Sequence, residues 1–149
     1  MKDTLTCIVI DDDDLDRMAV EAELSVIPRM KILGSFNNSI AAIEAIHNHK
    51  PYVLFLDIDM PGINGIDFAK SIVDLDIINV FITSHPEYAL QGFQLKVFDF
   101  ILNPLETDRF ESCLKRIFEF EQLKGRQRLM MYFLITIKSF LKRGIMWLT

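Results

Sequence analysis

Short apolar runs alternate with longer amphipathic stretches along most of the chain. Leu5 to Ile10 is a strand-length apolar run, and from Asp14 onward Leu15, Met18, Ala19, Ala22 and Val26 recur at helical spacing until Pro28 stops the pattern. Lys31 to Phe36 predicts a short second strand. Asn37, Asn38 and Ser39 are natural helix caps, and they precede a second helix carrying Ile40, Ile43, Ala45 and Ile46. Pro51 closes the next loop before the third strand, Val53 to Leu56. Gly62 and Gly65 bracket a loop, after which Ile66, Ala69, Ile72, Val73 and Leu75 mark a third helix. Ile77 to Thr83, Glu87 to Leu95 and Val97 to Leu102 read as strand, short helix and strand. Thr107 or Asp108 then caps a fifth helix with the stripe Phe110, Cys113, Leu114, Ile117 and Phe118. Five strand–helix units predict an α/β fold with a parallel sheet, right-handed crossovers and helices on both faces.

The pattern weakens after residue 123, so the chain divides into a domain over residues 3–123 and a tail over 124–149. Glu121 to Arg128 is polar around a lone glycine and reads as a helix end plus linker. Beyond it the tail is apolar with interspersed bases, and is either a docked extension or the truncated start of an effector domain. Its longest apolar stretch, Leu129 to Ile137, is about half the ~18 residues that a membrane span requires. No signal peptide is visible at the N-terminus, and a cytoplasmic protein without membrane contact is expected. Cys7 and Cys113, with no metal-ligand spacing, read as reduced core thiols.

The net charge of −5 conceals an asymmetry: residues 1–114 hold 19 acidic and 8 basic residues, whereas residues 115–149 hold 2 and 8. An acidic body lacks the basic face that phosphate contacts demand, so nucleic acid is not an expected partner of the domain itself.

The strand ends carry the chemistry. The first strand runs into four acids, Asp11 to Asp14, and the third delivers Asp57 to its rim, followed by Ile58-Asp59-Met60-Pro61-Gly62. If both strands belong to one parallel sheet, their C-terminal ends bring three or more carboxylates into the crevice where open α/β sheets bind ligands. Such a cluster repels itself unless a hard cation sits among the oxygens. Mg²⁺ suits a sparse carboxylate site of this kind, and beside it Asp57 is a candidate nucleophile toward phosphorus.

Four segments in this order resemble the receiver domain of two-component response regulators: Ile8-Val9-Ile10-Asp11-Asp12-Asp13, Leu56 to Gly62 with Gly65, Ile82-Thr83-Ser84, and Phe98 to Pro104. The resemblance covers residues 3–123. Tyr88-Ala89-Leu90, with Phe93 and Asp99-Phe100, is most similar to receivers that precede a LytTR-type DNA-binding domain. It implies a flavodoxin-like, doubly wound five-stranded sheet in the order 2-1-3-4-5. It also implies Asp57 as phosphoacceptor, Asp11 and Asp12 as the metal-holding pair, Asp59 as the donor of a backbone carbonyl to the metal, and Mg²⁺ as the cofactor. Thr83 would bond a phosphoryl oxygen, and Phe100 would be the aromatic switch that answers its movement. A sensor histidine kinase is the implied partner, and a homodimer through helix 4, strand 5 and helix 5 the implied assembly. Such a protein is no enzyme beyond its own phosphoryl transfer and autodephosphorylation. One position departs from the family pattern: Asn103 stands where receivers carry a lysine before the proline, supplying an amide donor and no charge. Lys96, the nearest base in sequence, belongs at the opposite end of strand 5.

Three other readings compete. Asp57-Ile58-Asp59 also resembles the nucleophile motif of haloacid-dehalogenase-like phosphatases, but Met60-Pro61 follows it and the acidic cluster precedes it. A pseudo-receiver, signalling by contact without phosphate, is consistent with Asn103. Flavin binding at the same crevice is disfavoured by the concentration of carboxylates. Among the remaining polar residues, Asp13, Asp14 and Asp16 read as a helix start, His47 and His49 as partners of a helix C-terminus, and His85 as a loop residue near the rim.

Overall fold

The computed structural model of the chain describes residues 3–72, 74–123 and 125–141. Strands β1 (Leu5–Ile10), β2 (Met30–Phe36), β3 (Val53–Leu56), β4 (Ile78–Thr83) and β5 (Asp99–Leu102) form one parallel sheet in the order β2-β1-β3-β4-β5. This is the expected flavodoxin-like winding. Between them run α1 (Asp14–Ser25), α2 (Ser39–His49), α3 (Gly65–Ser71) and a 3₁₀ turn at Pro86–Tyr88 leading into α4 (Ala89–Gln94), and after β5 come α5 (Thr107–Gln122) and α6 (Gly125–Leu141).

Two cores follow from the period-2 alternation of strand side chains. Cys7, Val9, Val53, Phe55, Val80, Ile82 and Ile101 meet α1 and α5, which contribute Val20, Leu24, Phe110, Cys113, Leu114, Ile117 and Phe120. Ile8, Ile10, Leu54, Leu56, Phe81 and Phe100 face the other way, onto Ala42 and Ile46 of α2, Ile66, Phe68 and Ala69 of α3, and Ala89 of α4. Both sheet faces are thus covered, which explains why the strands read as unbroken apolar runs.

α1 departs from the expected helix face. Leu15, Met18, Ala19, Ala22 and Val26 point to solvent, and Val20 and Leu24 are buried instead. Rotation of this helix is set at its start. Asp13 caps it by accepting the Asp16 amide at 2.9 Å, and Arg17 donates to the Asp11 carbonyl at 2.9 Å. That bond holds the side of Arg17 toward β1, and Val20 and Leu24 follow it at i+3 and i+7. Smaller differences concern α2, where Ile40 is exposed and Ala42 takes the inward position, and α5, whose cap position is Glu106. Thr107 instead donates its hydroxyl to Glu23 at 2.6 Å. Phe120 rather than Phe118 is buried, the latter lying under the Arg29 guanidinium 4.3 Å from its ring centroid. Val73 falls outside the described residues.

Residues 125–141 form a helix that folds back on the sheet. Gly125, at φ +60°, takes the left-handed conformation that separates α6 from α5. Tyr132 packs on Phe98 and Phe120 with ring centroids 5.3 and 5.5 Å away, and donates its hydroxyl to the Lys96 carbonyl at 2.6 Å. Thr136 donates to the Val97 carbonyl, Arg128 stacks on Phe120 and donates to the Tyr52 hydroxyl, and Ile135 enters the α1/α5 core. α6 therefore covers the start of β5 and rests between α4 and α5, over part of the face expected to self-associate.

Candidate functional site

Register places the site. β1 and β3 are neighbours, with Ile10 opposite Leu56, so Asp11 and Asp57 leave the sheet side by side. The Asp57 amide donates to the Ile10 carbonyl at 2.9 Å and the Asp11 amide to the Phe36 carbonyl at 3.0 Å, which holds both rims in place. Oxygens of Asp11, Asp12 and Asp57 lie within 4.8 Å of one another. Asp11 is 2% exposed and Asp57 9%, whereas Asp12 opens to solvent.

Two carboxyls this close and this dry do not both ionise readily. Burial, reinforced by the charge of Asp57, pushes Asp11 up to about 8 against the lowering effect of the Asp13 amide. Burial likewise pushes Asp57 up to about 6, opposed by the amides of Asp59 and Ile58 and by a hydrogen bond from Asp11. Burial thus favours a proton retained between the two carboxyls. A divalent cation is the natural replacement for that proton: three convergent carboxylate oxygens, one of them solvent-facing, fit a hard ion that keeps part of its water. The Asp59 side chain is exposed and turns away from the crevice toward His85.

The loop after β3 needs a glycine at position 65. A Cβ there would lie 2.5 Å from the Asp57 carbonyl oxygen and 2.5 Å from Ile58 Cα, and the Gly65 amide donates to the Ile58 carbonyl at 2.6 Å. Close backbone approach, rather than a phosphate loop, explains this residue.

Thr83 and Asn103 line the neighbouring rim. Thr83 ends β4, is fully buried, and accepts the His85 amide on its hydroxyl at 3.2 Å. The Asn103 amide donates to the Thr83 carbonyl at 2.8 Å, across the end of β5 and next to a cis peptide to Pro104. Among the described residues Asn103 Nδ2 is buried and finds no acceptor. A polar group so placed is costly until something bonds it. Phe100 is fully buried, edge-on to Phe81 at 6.5 Å, and near Gly92 of α4, where an added Cβ would touch both rings at 3.3–3.4 Å. Lys96 lies at the other end of β5, in the turn before it, as expected.

Three residues matter more than their sequence context indicated. His85 bridges the loops after β3 and β4, with Nε2 2.9 Å from Asp59 Oδ2 and Nδ1 3.1 Å from Glu87 Oε1. Its position two residues after Thr83 was the available signal. Arg17 ties α1 to the Asp11 backbone. Arg109 makes a bidentate pair, at 2.6 and 2.9 Å, with Asp99, which is fully buried and also accepts the Phe100 amide.

Comparison with known proteins agrees with this geometry. The family model for the response regulator receiver domain matches residues 7–115. An uncharacterized response regulatory protein of Shewanella oneidensis is 35% identical over 115 residues, covering 76% of this chain and 48% of that protein. The transcriptional regulatory protein BtsR of Salmonella typhimurium is 36% identical over 111 residues, covering 74% of this chain and 46% of its own length. The chain thus spans about half the length of these relatives. Among solved structures, the response regulatory domain of mrkE from Klebsiella pneumoniae superposes with a TM-score of 0.73 at 27% identity, over 77% of this chain and 96% of that one. The receiver domain of NarL from Mycobacterium tuberculosis gives 0.70 at 26%, over 78% and 98%. With the sheet order, the acidic crevice and these matches in agreement, the chain belongs to the response regulator receiver family of two-component signalling.

Proposed function

We propose that the chain is a phosphoacceptor receiver in which Mg²⁺-dependent phosphorylation of Asp57 switches a protein-interaction surface. The observation that carries this reading is the convergence of Asp11, Asp12 and Asp57, with the Thr83 hydroxyl and the Asn103 amide on the adjoining rim. In the proposed reaction an Asp57 oxygen attacks the phosphorus of a phosphohistidine, the P–N bond breaks, and the imidazole leaves with the bonding electrons. Mg²⁺ held by Asp11, Asp12, Asp57 and the Asp59 carbonyl would neutralise the phosphoryl charge. Asp57 must be ionised to attack, and a cation among the three carboxylates would favour that form against the burial that raises it. Thr83 and Asn103 then donate to phosphoryl oxygens, and the buried Phe100 reads the shift of Thr83. The protein turns over no external substrate beyond its own phosphorylation and dephosphorylation.

The sensor histidine kinase would dock beside the crevice. The outward stripe of α1 supports this: Leu15 is 79% and Met18 57% exposed, adjoining the acidic rim. Among the described residues no helix is long and apolar enough to cross a membrane, and a cytoplasmic setting suits a soluble phosphodonor. The LytTR-like assignment rests on the segments around Tyr88 and Asp99.

Asn103 supports a second reading, the pseudo-receiver, because a neutral amide replaces a charge-assisted contact worth about 1.5–3 kcal/mol. Incubation of wild type, Asn103→Lys and Asp57→Asn with Mg²⁺ and a small phosphodonor, read by intact mass, separates the two. A slow +80 Da adduct of about one phosphoryl mass, absent from Asp57→Asn and roughly tenfold faster in Asn103→Lys, is the expected result. If wild type and Asn103→Lys both remain unmodified while folded, contact signalling replaces phosphoryl signalling.

A further inference from the structure

α6 is apolar on both sides. Its inward side, Tyr132, Ile135 and Thr136, is satisfied by the turn into β5 and by the α1/α5 core. Its outward side presents Leu129, Met130, Phe133, Leu134 and Leu141, each between 38% and 75% exposed. A helix apolar all round belongs in an interior, so this outer face calls for a cover. Beside it Phe93, Leu129, Phe133 and Ile137 line a groove of about 450 Å³ between α4 and α6, and Leu90 of α4 is 51% exposed nearby in the same helix.

We propose that the outward face of α6, together with the α4–α6 groove, is the surface through which two copies of this chain associate. The inference does not depend on the phosphoryl chemistry proposed above. A ridge, Met130 and Leu134, lies alongside a groove on one surface, and this is the shape a two-fold axis can use twice, each ridge entering the other copy's groove. Area supports it. At roughly 150–200 Å² for a large apolar side chain, the five exposed residues leave on the order of 500 Å² uncovered, at the upper end for a monomer's largest patch. Two copies together bury about 1,000 Å² from these residues alone, which reaches the lower bound of a specific interface before the groove walls are added.

Charge argues against an anionic lipid surface as the cover. Residues 125–149 hold five bases and no acid, but residues 1–124 hold 21 acids against 11 bases, so the body attached to α6 is repelled by such a surface. Two copies, each carrying a net charge of −5, associate through apolar contact against mild repulsion that salt screens.

The test is sedimentation velocity on the full chain from about 5 to about 200 µM, at about 50 and about 500 mM NaCl. A dimer is expected that holds or tightens at the higher salt. Met130→Glu with Leu134→Glu should weaken it at least about tenfold. Phe133→Ala, a milder change on the same outward face, should weaken it in the same direction, and Ile40→Glu, on the exposed side of α2, should leave it intact. Circular dichroism and melting of each variant identify any loss of fold, and the wild-type dilution series stands without the variants. The proposal is overturned by a wild-type monomer at the highest concentration, or by a dimer indifferent to Phe133→Ala and to a folded double variant. It is equally overturned if a monomeric wild type sediments with anionic vesicles through α6, which would assign the face to a membrane.

Discussion

Replacing Asp11 by Asn is expected to stabilise the metal-free protein and to remove its response to Mg²⁺. Asp11 is 2% exposed, and its burial favours a proton that the same residue in the unfolded chain has lost. A rise from 3.8 to about 8 sets an upper bound of roughly 5–6 kcal/mol, at about 1.4 kcal/mol per unit. Water at the open side of the crevice, and the sharing of one proton with Asp57, reduce the expected effect to about 2 kcal/mol. The sign follows from linkage. The folded protein binds the proton where the unfolded chain does not, so the stabilising contribution is complete below about pH 4 and is lost as pH rises through about 8. Asn keeps an oxygen for the Asp13 amide, now bonded at 2.9 Å, and presents an N–H to Asp57 in place of the shared proton. Urea unfolding between about pH 5 and 8, with and without Mg²⁺, measures the difference between wild type and variant. Wild type should weaken toward pH 8 relative to the variant and recover with Mg²⁺, while the variant should respond to neither. A variant no more stable than wild type at pH 8, or one still stabilised by the metal, would refute the account of a frustrated carboxylate pair.

Gly65→Ala should cost about 1–3 kcal/mol in urea unfolding and raise the Mg²⁺ midpoint, because its Cβ has to displace the backbone that carries Asp57. Arg109→Ala should cost about 3 kcal/mol by removing the guanidinium that balances the buried Asp99 carboxylate, with much of the loss restored by adding Asp99→Asn; a charge reversal at Arg109 would therefore report on the fold before it reported on self-association. Ending the chain at Leu123 should lower stability by about 2–4 kcal/mol, since Phe98 and Phe120 lose the Tyr132 ring that covers them; equal melting of the two chains would show that α6 is not docked in solution.

The sheet was legible because its strands are buried on both faces and announce themselves as apolar runs between turn residues. Each run lies within one or two residues of the observed strand, whereas the register that pairs Ile10 with Leu56 is invisible in strands apolar on both faces. Helix faces were less legible. In α1 the apolar residues Leu15, Met18, Ala19, Ala22 and Val26 form the better stripe by periodicity, yet the helix turns Val20 and Leu24 inward. Hydrophobic spacing cannot detect that the bond from Arg17 to the Asp11 carbonyl fixes the rotation, nor that a surface stripe has a use outside the domain. Periodicity reports which residues share a side, and only tertiary anchoring decides which side is inside.

The acidic crevice was legible for a different reason: strand ends in a parallel sheet meet at one rim, so Asp11, Asp12 and Asp57 needed only the strand order to be brought together. Pairings that join distant segments by side chain alone left no such trace. Asp99 reads as one more acid in an apolar strand until Arg109, ten residues on, closes a bidentate bond on it. His85 reads as a loop residue until Asp59, from another strand end, reaches it. α6 combines both difficulties, because its apolar residues have no polar face to define an orientation. The bonds from Tyr132 and Thr136 to the backbone of Lys96 and Val97 select the docked side. Those two carbonyls sit at the turn into β5, where the edge of the sheet would otherwise meet water. The helix is therefore held by the same edge that it protects, and its remaining apolar side is left for a partner to cover.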